Sequence, residues 1–310
     1  MILGHERQIN YLEKVRAVGR LAHAYLFHGP EQIGKFTIAR ALASAMLCEE
    51  KSAKITQSCG KCDSCLRIAS GTSANIYILA RDRSIDGPVE VRKDIPIGDI
   101  RELKRRLSYA AQSGVWRVII IDGVENLSTP AANAFLKLLE EPGDRTLMLL
   151  ISHSRDLILQ TISSRAQPIR FGTISESVLI EFGEKHVSAK EALVLAQASA
   201  GRPGRLLSLL ANPKEAKEQE KLLEQLVVLK LTRVPDTLVL AASLAKDEER
   251  ERKSWFLAWE ALRRELLEQV LDPARTIKKI HSLDRIGTLR ETTNVSPRLA
   301  LDAMFLEYQK

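Results

Sequence analysis

Two groups of residues in this sequence have types and spacings suited to chemistry. Gly29, Gly34 and Lys35, in Gly29-Pro30-Glu31-Gln32-Ile33-Gly34-Lys35, follow the G-x-x-x-x-G-K order of a phosphate-binding loop. Glycines let such a loop curl until successive N–H groups point inward, and the lysine and the start of the following helix add positive charge. One part is missing. The residue after the lysine is ordinarily Ser or Thr, whose hydroxyl ligates Mg²⁺, and here it is Phe36. Thr37 lies one place on, about 100° further around a helix, and does not simply replace it.

The second group is Cys48, Cys59, Cys62 and Cys65, the only four cysteines in the chain. Cys59-Gly60-Lys61-Cys62-Asp63-Ser64-Cys65 is a C-x-x-C-x-x-C knuckle, and Cys48 is placed to close the set. Four thiolates around a tetrahedral zinc ion is the economical reading where disulfides rarely persist, and an iron–sulfur cluster stays open as an alternative. Four protein ligands leave no open position, so the expected role of the metal is structural.

Further along, Val118-Ile119-Ile120-Ile121-Asp122 is a β-branched run ending in a carboxylate. An Asp at the end of a buried strand can hold Mg²⁺ through water, or merely cap the next turn. An active ATPase of this type follows that Asp with a water-activating Glu, and here Gly123 follows. Glu125 is expected to lie too far along the chain to serve the same point. Arg101, Lys104, Arg105 and Arg106 form a basic run against Asp99 and Glu102, which suits a solvated face or contact with a phosphate backbone.

These groups need elements to hold them. Ile9, Leu12 and Val15 have helical spacing over residues 5–18, His23 to Phe27 reads as a strand, and Lys35 to Cys48 as an Ala-rich helix. Asn75–Leu79 reads as a strand, 81–97 as a polar surface loop and 98–112 as a helix. Val118–Asp122 and Thr146–Ile151 read as strands buried on both faces, with a helix from Pro130 to Glu141 stopped by Pro142-Gly143. Gln167–Phe171 is the last strand. Strands alternating with helices predict a three-layer α/β domain with a parallel sheet. From Ile174 onward the pattern is helical, broken at Gly201-Arg202-Pro203-Gly204 and at Asn212-Pro213, with amphipathic stretches such as Leu222–Leu229.

At 310 residues the chain has room for two or three domains. A hydrophobic fraction of 45% with 27% charged residues fits a globular protein, and no apolar run is long enough to span a bilayer. No secretory signal precedes His5-Glu6-Arg7, so a cytoplasmic location is expected. The net charge of +7 permits contact with nucleic acid without demanding it.

Together these residues resemble the AAA+ clamp-loader family over almost the whole chain. The likeness rests on His23–Phe27, the four-cysteine insertion after the loop helix, and Asn133-Ala134-Phe135-Leu136-Lys137-Leu138-Leu139-Glu140-Glu141-Pro142. Ser163-Ser164-Arg165 and Asn294–Leu301 also fit. The resemblance implies a RecA-like AAA+ P-loop domain over 1–172 with its zinc module at 48–65, a helical lid over 173–212, and an all-α collar over 213–310. It implies a hetero-pentameric ring that acts on a sliding clamp and primed DNA in replication. Motor members of the family carry Ser-Arg-Cys, whose arginine reaches a neighbour's ATP, and this chain has Ser164-Arg165-Ala166. Their nucleotide-sensing lid arginine falls on Gly204.

Phe36, Gly123 and Gly204 thus remove three parts of an ATPase site, while Gly29, Gly34, Lys35, Thr37 and Asp122 keep nucleotide binding open. The expectation is a non-motor subunit that scaffolds the ring and lends Arg165 to a neighbour, with ATP bound at most and hydrolysis not expected. The same geometry in the family puts Arg101, Lys104 and Arg105 near the duplex. The alternatives are an ATP-hydrolysing motor subunit and a zinc-containing nucleic-acid binder.

Overall fold

The computed structural model describes residues 2–50, 54–109, 115–212, 214, 217, 273–292 and 295–309. The helical stretch expected at Leu222–Leu229 lies outside these residues. The described chain divides into two compact units, one of residues 1–179 with 201–205 and one of 180–200 with 206–310.

The first unit is built on five parallel strands in the order β2-β5-β6-β1-β7. They are β1 (Ala24–His28), β2 (Ile76–Leu79), β5 (Arg117–Asp122), β6 (Thr146–Ser152) and β7 (Gln167–Arg170). Strand side chains alternate between faces, so each apolar run feeds two cores. Tyr25, Phe27, Val118, Ile120, Leu147 and Leu149 enter one core, with α1 (Glu6–Ala17) and α2 (Lys35–Leu47). Leu26, Ile119, Ile121, Met148 and Leu150 enter the other, with α4 (Ile97–Tyr109) and α5 (Thr129–Glu140). All six residues of β5 except its two ends are buried, as a continuous Val/Ile run demands. The result is the three-layer α/β sandwich expected.

Local signals set the ends of several elements. Ser128 caps α5 by accepting from the Ala131 N–H, Pro130 sits in its first turn, and the helix ends before Pro142-Gly143. The cysteine insertion forms α3 (Asp63–Ala69), with Cys62 as its N-cap. The segment 81–97 is not a bare loop. It contains a two-stranded antiparallel ladder, β3 (Arg83–Ser84) with β4 (Gly87–Pro88), and Ile95 is fully buried and bridged to Leu127. Its polar composition hid an apolar anchor that the neighbouring core requires. A short α6 (Gln160–Ser163) precedes β7.

Helix α7 (Glu176–Gly183) follows, then α8 (Ala189–Ser199), capped by Ser188, and α9 (Pro203–Ala211). In the second unit α10 (Pro273–Thr292) and α11 (Pro297–Gln309) pack together, burying Leu283, Leu301, Met304 and Phe305. No described helix is long and apolar enough to cross a membrane.

Candidate functional site

Because the five strands are parallel, the segments after β1, β5, β6 and β7 all leave the same end of the sheet, where ligands of open α/β sheets bind. The segment after β1 is the glycine-bounded loop, and α2 begins at Lys35 with Gly34 as its N-cap. Lys35 is buried, and its ammonium donates to the carbonyls of Gly29 at 2.5 Å and Pro30 at 2.6 Å. Burial lowers its pKa to about 8, opposed by the carboxylates of Asp122, Glu31 and Glu125 and aided by the charge of Arg202. Phe36 is half-buried against the core of α1 and α2, so its side chain belongs to the packing. Thr37 is exposed.

Asp122 ends β5, and burial pushes its carboxyl up to about 6, with Lys35 pulling the other way. Glu125 lies in a 3₁₀ turn over Val124–Asn126, and its charge acts on both Lys35 and Asp122. Gly123 makes that turn. Its φ of 84° is left-handed, and a Cβ there would stand 2.3 Å from the Asn126 amide nitrogen. Glu125 is held at the end of β6, where its Oε1 lies 2.5 Å from His153 Nδ1 and accepts from the His153 N–H at 3.3 Å. Burial raises the Glu125 carboxyl, but the His153 hydrogen bond and its own N–H outweigh this, and the net shift is downward. Nothing local in the sequence pairs Glu125 with His153, since the sheet alone brings β5 beside β6.

Gly204 lies against the same loop. Its N–H donates to the Gln32 carbonyl at 2.8 Å, and a Cβ there would sit 2.6 Å from that oxygen. An arginine at 204 does not fit this arrangement. Arg202, two residues earlier, is 2% exposed, and its charge reaches Lys35. Sequence reasoning passed over it because an arginine between Gly and Pro reads as a surface turn. Gly204→Ala is expected to cost about 1–3 kcal/mol through overpacking, read as a lower urea midpoint with an unchanged slope.

The ammonium of Lys35 makes a second expectation. Its folded pKa of about 8 lies below the usual lysine value near 10.4. Between those values the unfolded chain holds a proton that the folded chain has shed, so the lysine makes stability rise with pH. Lys35→Met should flatten the urea-unfolding profile from about pH 8 to 10, and an unchanged profile would refute the buried-ammonium assignment.

The four cysteine sulfurs all lie within 4.8 Å of one another, with Cys59 Sγ 3.9 Å from Cys65 Sγ. Tetrahedral zinc–thiolate bonds of about 2.3 Å place sulfurs a little under 4 Å apart, so the donor set fits. Two backbone N–H groups also point at sulfur, Cys62 at Cys59 and Cys65 at Cys62, each at 3.4 Å. Backbone N–H groups of Lys61 and Cys62 bring the Cys59 thiol down to about 6, whereas burial pushes Cys65 up to about 12. The module is tied to the sheet domain through Glu13, which accepts from the Ile55 N–H.

Arg165 follows α6 and is exposed. It donates to Glu140 Oε1 at 2.8 Å, at the end of α5, and to the Thr161 carbonyl at 3.0 Å. The strongest charges acting on Lys35 and Asp122 do not include it. On α4, Arg105 is held by both oxygens of Glu102 at 2.7 Å, and Arg106 by Glu102 and Asp86. The pair of arginines holds the Glu102 carboxyl down at about 2. Arg101 is exposed and Lys104 half-buried on the same helix.

A parallel sheet of this order, with a glycine-bounded loop and buried lysine after β1 and an aspartate ending β5, defines a P-loop domain of the RecA-like AAA+ class. Residues 4–175 match the family described as DNA polymerase III, delta subunit, and the chain belongs to that family of clamp-loader subunits. It is 38% identical over 144 residues to the DNA polymerase III subunit delta' of Pseudomonas aeruginosa, covering 46% of this chain and 41% of that protein. It is 32% identical over 170 residues to the DNA polymerase III subunit gamma/tau of Mycobacterium tuberculosis, covering 55% of this chain and 28% of the relative. The chain thus spans less than half the length of these curated relatives. Among solved structures it aligns with a DNA polymerase III gamma subunit-related protein of Thermotoga maritima at TM-score 0.42 and 17% identity, over 96% of this chain and 98% of that one. It also aligns with the Thermotoga maritima RuvB Holliday junction branch migration motor at TM-score 0.45 and 17% identity, over 99% of this chain and 87% of that one.

Proposed function

We propose that this chain is a non-motor subunit of a DNA polymerase III clamp loader, a scaffold that lends Arg165 to a neighbour's nucleotide. The observation that carries this reading is the state of its own loop. Phe36 is half-buried against the core where an ATPase needs a Mg²⁺-binding hydroxyl, and Gly204 leaves no room for a lid arginine. Gly29, Gly34, Lys35 and Asp122 remain, so ATP binds without productive turnover. The relatives named as delta' and gamma/tau subunits support partners within that complex; beyond them, the reading adds a hetero-pentameric ring, the sliding clamp and primed DNA. The protein works in the cytoplasm. Residues 1–172, 173–212 and 213–310 serve as nucleotide-fold domain, lid and collar. Cys48, Cys59, Cys62 and Cys65 hold one structural zinc, whose binding fixes the module around α3.

The test is reconstitution with candidate loader subunits. The isolated chain should hydrolyse ATP negligibly while the assembled complex loads clamps, and loading by a complex that omits this chain would sink the proposal. One observation favours the motor alternative. Glu125, held by His153, supplies a carboxylate near Lys35 and Asp122. Steady turnover by the isolated chain, abolished by Glu125→Gln and by Lys35→Ala, would decide for it.

The α4 run offers phosphate contacts within the complex. Glu102 already engages Arg105, so Arg101 and Lys104 carry most of the contribution. Neutralising both should weaken DNA binding by the complex and reduce its salt slope by about 2. An unchanged slope returns the helix to solvent.

A further inference from the structure

A cavity of about 270 Å³ opens on the α1/α2 side of the sheet at its β2 edge. Its floor is Ile76 and Ile78 of β2, and one wall is Ile68 with Ser70 and Ser73 at the end of α3. Arg40 from the outer face of α2 and Arg83 from β3 complete the lining, and no carboxylate contributes. Both arginines are exposed, and neither has a side-chain hydrogen bond or ion pair among the described residues. Arg67, Arg92, Arg105, Arg106 and Arg165 all find carboxylates.

We propose that this cavity is a docking site for an extended acidic peptide of a partner protein, taking one aliphatic side chain onto Ile76 and Ile78 and flanking carboxylates onto Arg40 and Arg83. The volume falls just under the usual range of about 300–1,000 Å³ for small-molecule pockets, which suits one side chain better than a whole cofactor. Guanidinium forks match carboxylates bidentately, and two from different elements fix the direction of a chain. A phosphodiester strand is the poorer fit, because the lining has no aromatic ring on which a base could stack. β2 is the edge of the sheet and pairs only with β5 in it, so an extended peptide can run alongside with alternate residues facing the cavity. The wall at Ile68–Ser73 is carried by α3, whose N-cap is Cys62, so the cysteine module shapes this surface. The inference does not depend on the clamp-loader reading, since it concerns binding by the chain alone.

Fluorescence anisotropy of a labelled Asp-Leu-Asp-Leu-Asp peptide with the purified full chain tests it. The peptide should bind with a Kd below about 1 mM, and Asp-Ser-Asp-Ser-Asp and Lys-Leu-Lys-Leu-Lys at least about tenfold more weakly. Arg40→Glu/Arg83→Glu, with both changes on exposed side chains, should lose about tenfold or more while keeping the thermal midpoint and metal content. Absence of binding to the first peptide, equal binding of the serine peptide, or full binding by the double variant overturns the proposal. So does a thymidine oligonucleotide that displaces the peptide and is itself lost in the double variant, which would assign the arginines to phosphate.

Discussion

In the proposed complex, Arg165→Ala should leave the chain folded and assembly intact, yet lower ATP turnover at the neighbouring subunit's site by about 10³ or more. The argument begins with position. Arg165 lies after α6, exposed, and is held by Glu140 rather than by any group of its own nucleotide loop. Its terminal nitrogens are held at the surface by the Thr161 carbonyl and by Glu140, contacts that a phosphate on another chain would replace. An exposed ion pair of this kind contributes at most about 1 kcal/mol, so its loss has little effect on folding. A transferring phosphoryl group in a water-poor interface is a different setting, where a planar fork of permanent charge stabilises the developing negative oxygens. Lysine at 165 should therefore rescue poorly, because a point charge loses the paired geometry. Total turnover of the complex falls less than turnover at the served site wherever other sites keep their own arginine. Single-turnover kinetics with the reconstituted complex separate the two. Wild-type rates in an assembled Arg165→Ala complex would leave the scaffold role to stand without a finger.

The second large effect concerns the cysteine set. Cys65→Ser should abolish stoichiometric zinc and unfold the segment around α3, while the parallel sheet and its cooperative unfolding persist. Cys65 is the buried member, and burial raises its thiol to about 12. A thiol in that setting keeps its proton unless a cation replaces it, so occupancy of this position depends on the metal. Structural zinc binding in small modules amounts to about 10–16 kcal/mol, and three thiolates with a buried serine hydroxyl hold the ion much less tightly. The sheet is insulated because all four sulfurs lie outside its strands, with Cys48 just past the end of α2. Metal analysis and amide exchange over 48–71 read the two halves of the prediction. Wild-type protein with no metal and four titratable thiols would refute the site.

How much of this was legible in the sequence divides along physical lines. Strand runs such as Val118–Ile121, the helix start at Lys35, the helix read from Pro130 that begins one residue earlier at Thr129, and the cysteine knuckle are local patterns, set by propensity, period-two burial and ligand spacing. The absences at Phe36 and Gly123 were equally plain, because each is a residue type at a fixed offset from a motif, whereas Gly204 stood out only through the family resemblance. What those absences do was settled only by tertiary structure. Gly123 makes the left-handed turn into Val124–Asn126, and Glu125 there meets His153, which follows β6 and lies 28 residues on. Gly204 meets the Gln32 carbonyl from the far side of the lid break, and Arg202 arrives with it. Glu102 takes up two arginines of a run that composition alone makes look free. The division has one cause. Backbone geometry and burial period act between neighbours in sequence and leave a trace there, whereas a hydrogen bond or a charge contact depends on distance in space, which the chain acquires only when the strands have been set side by side.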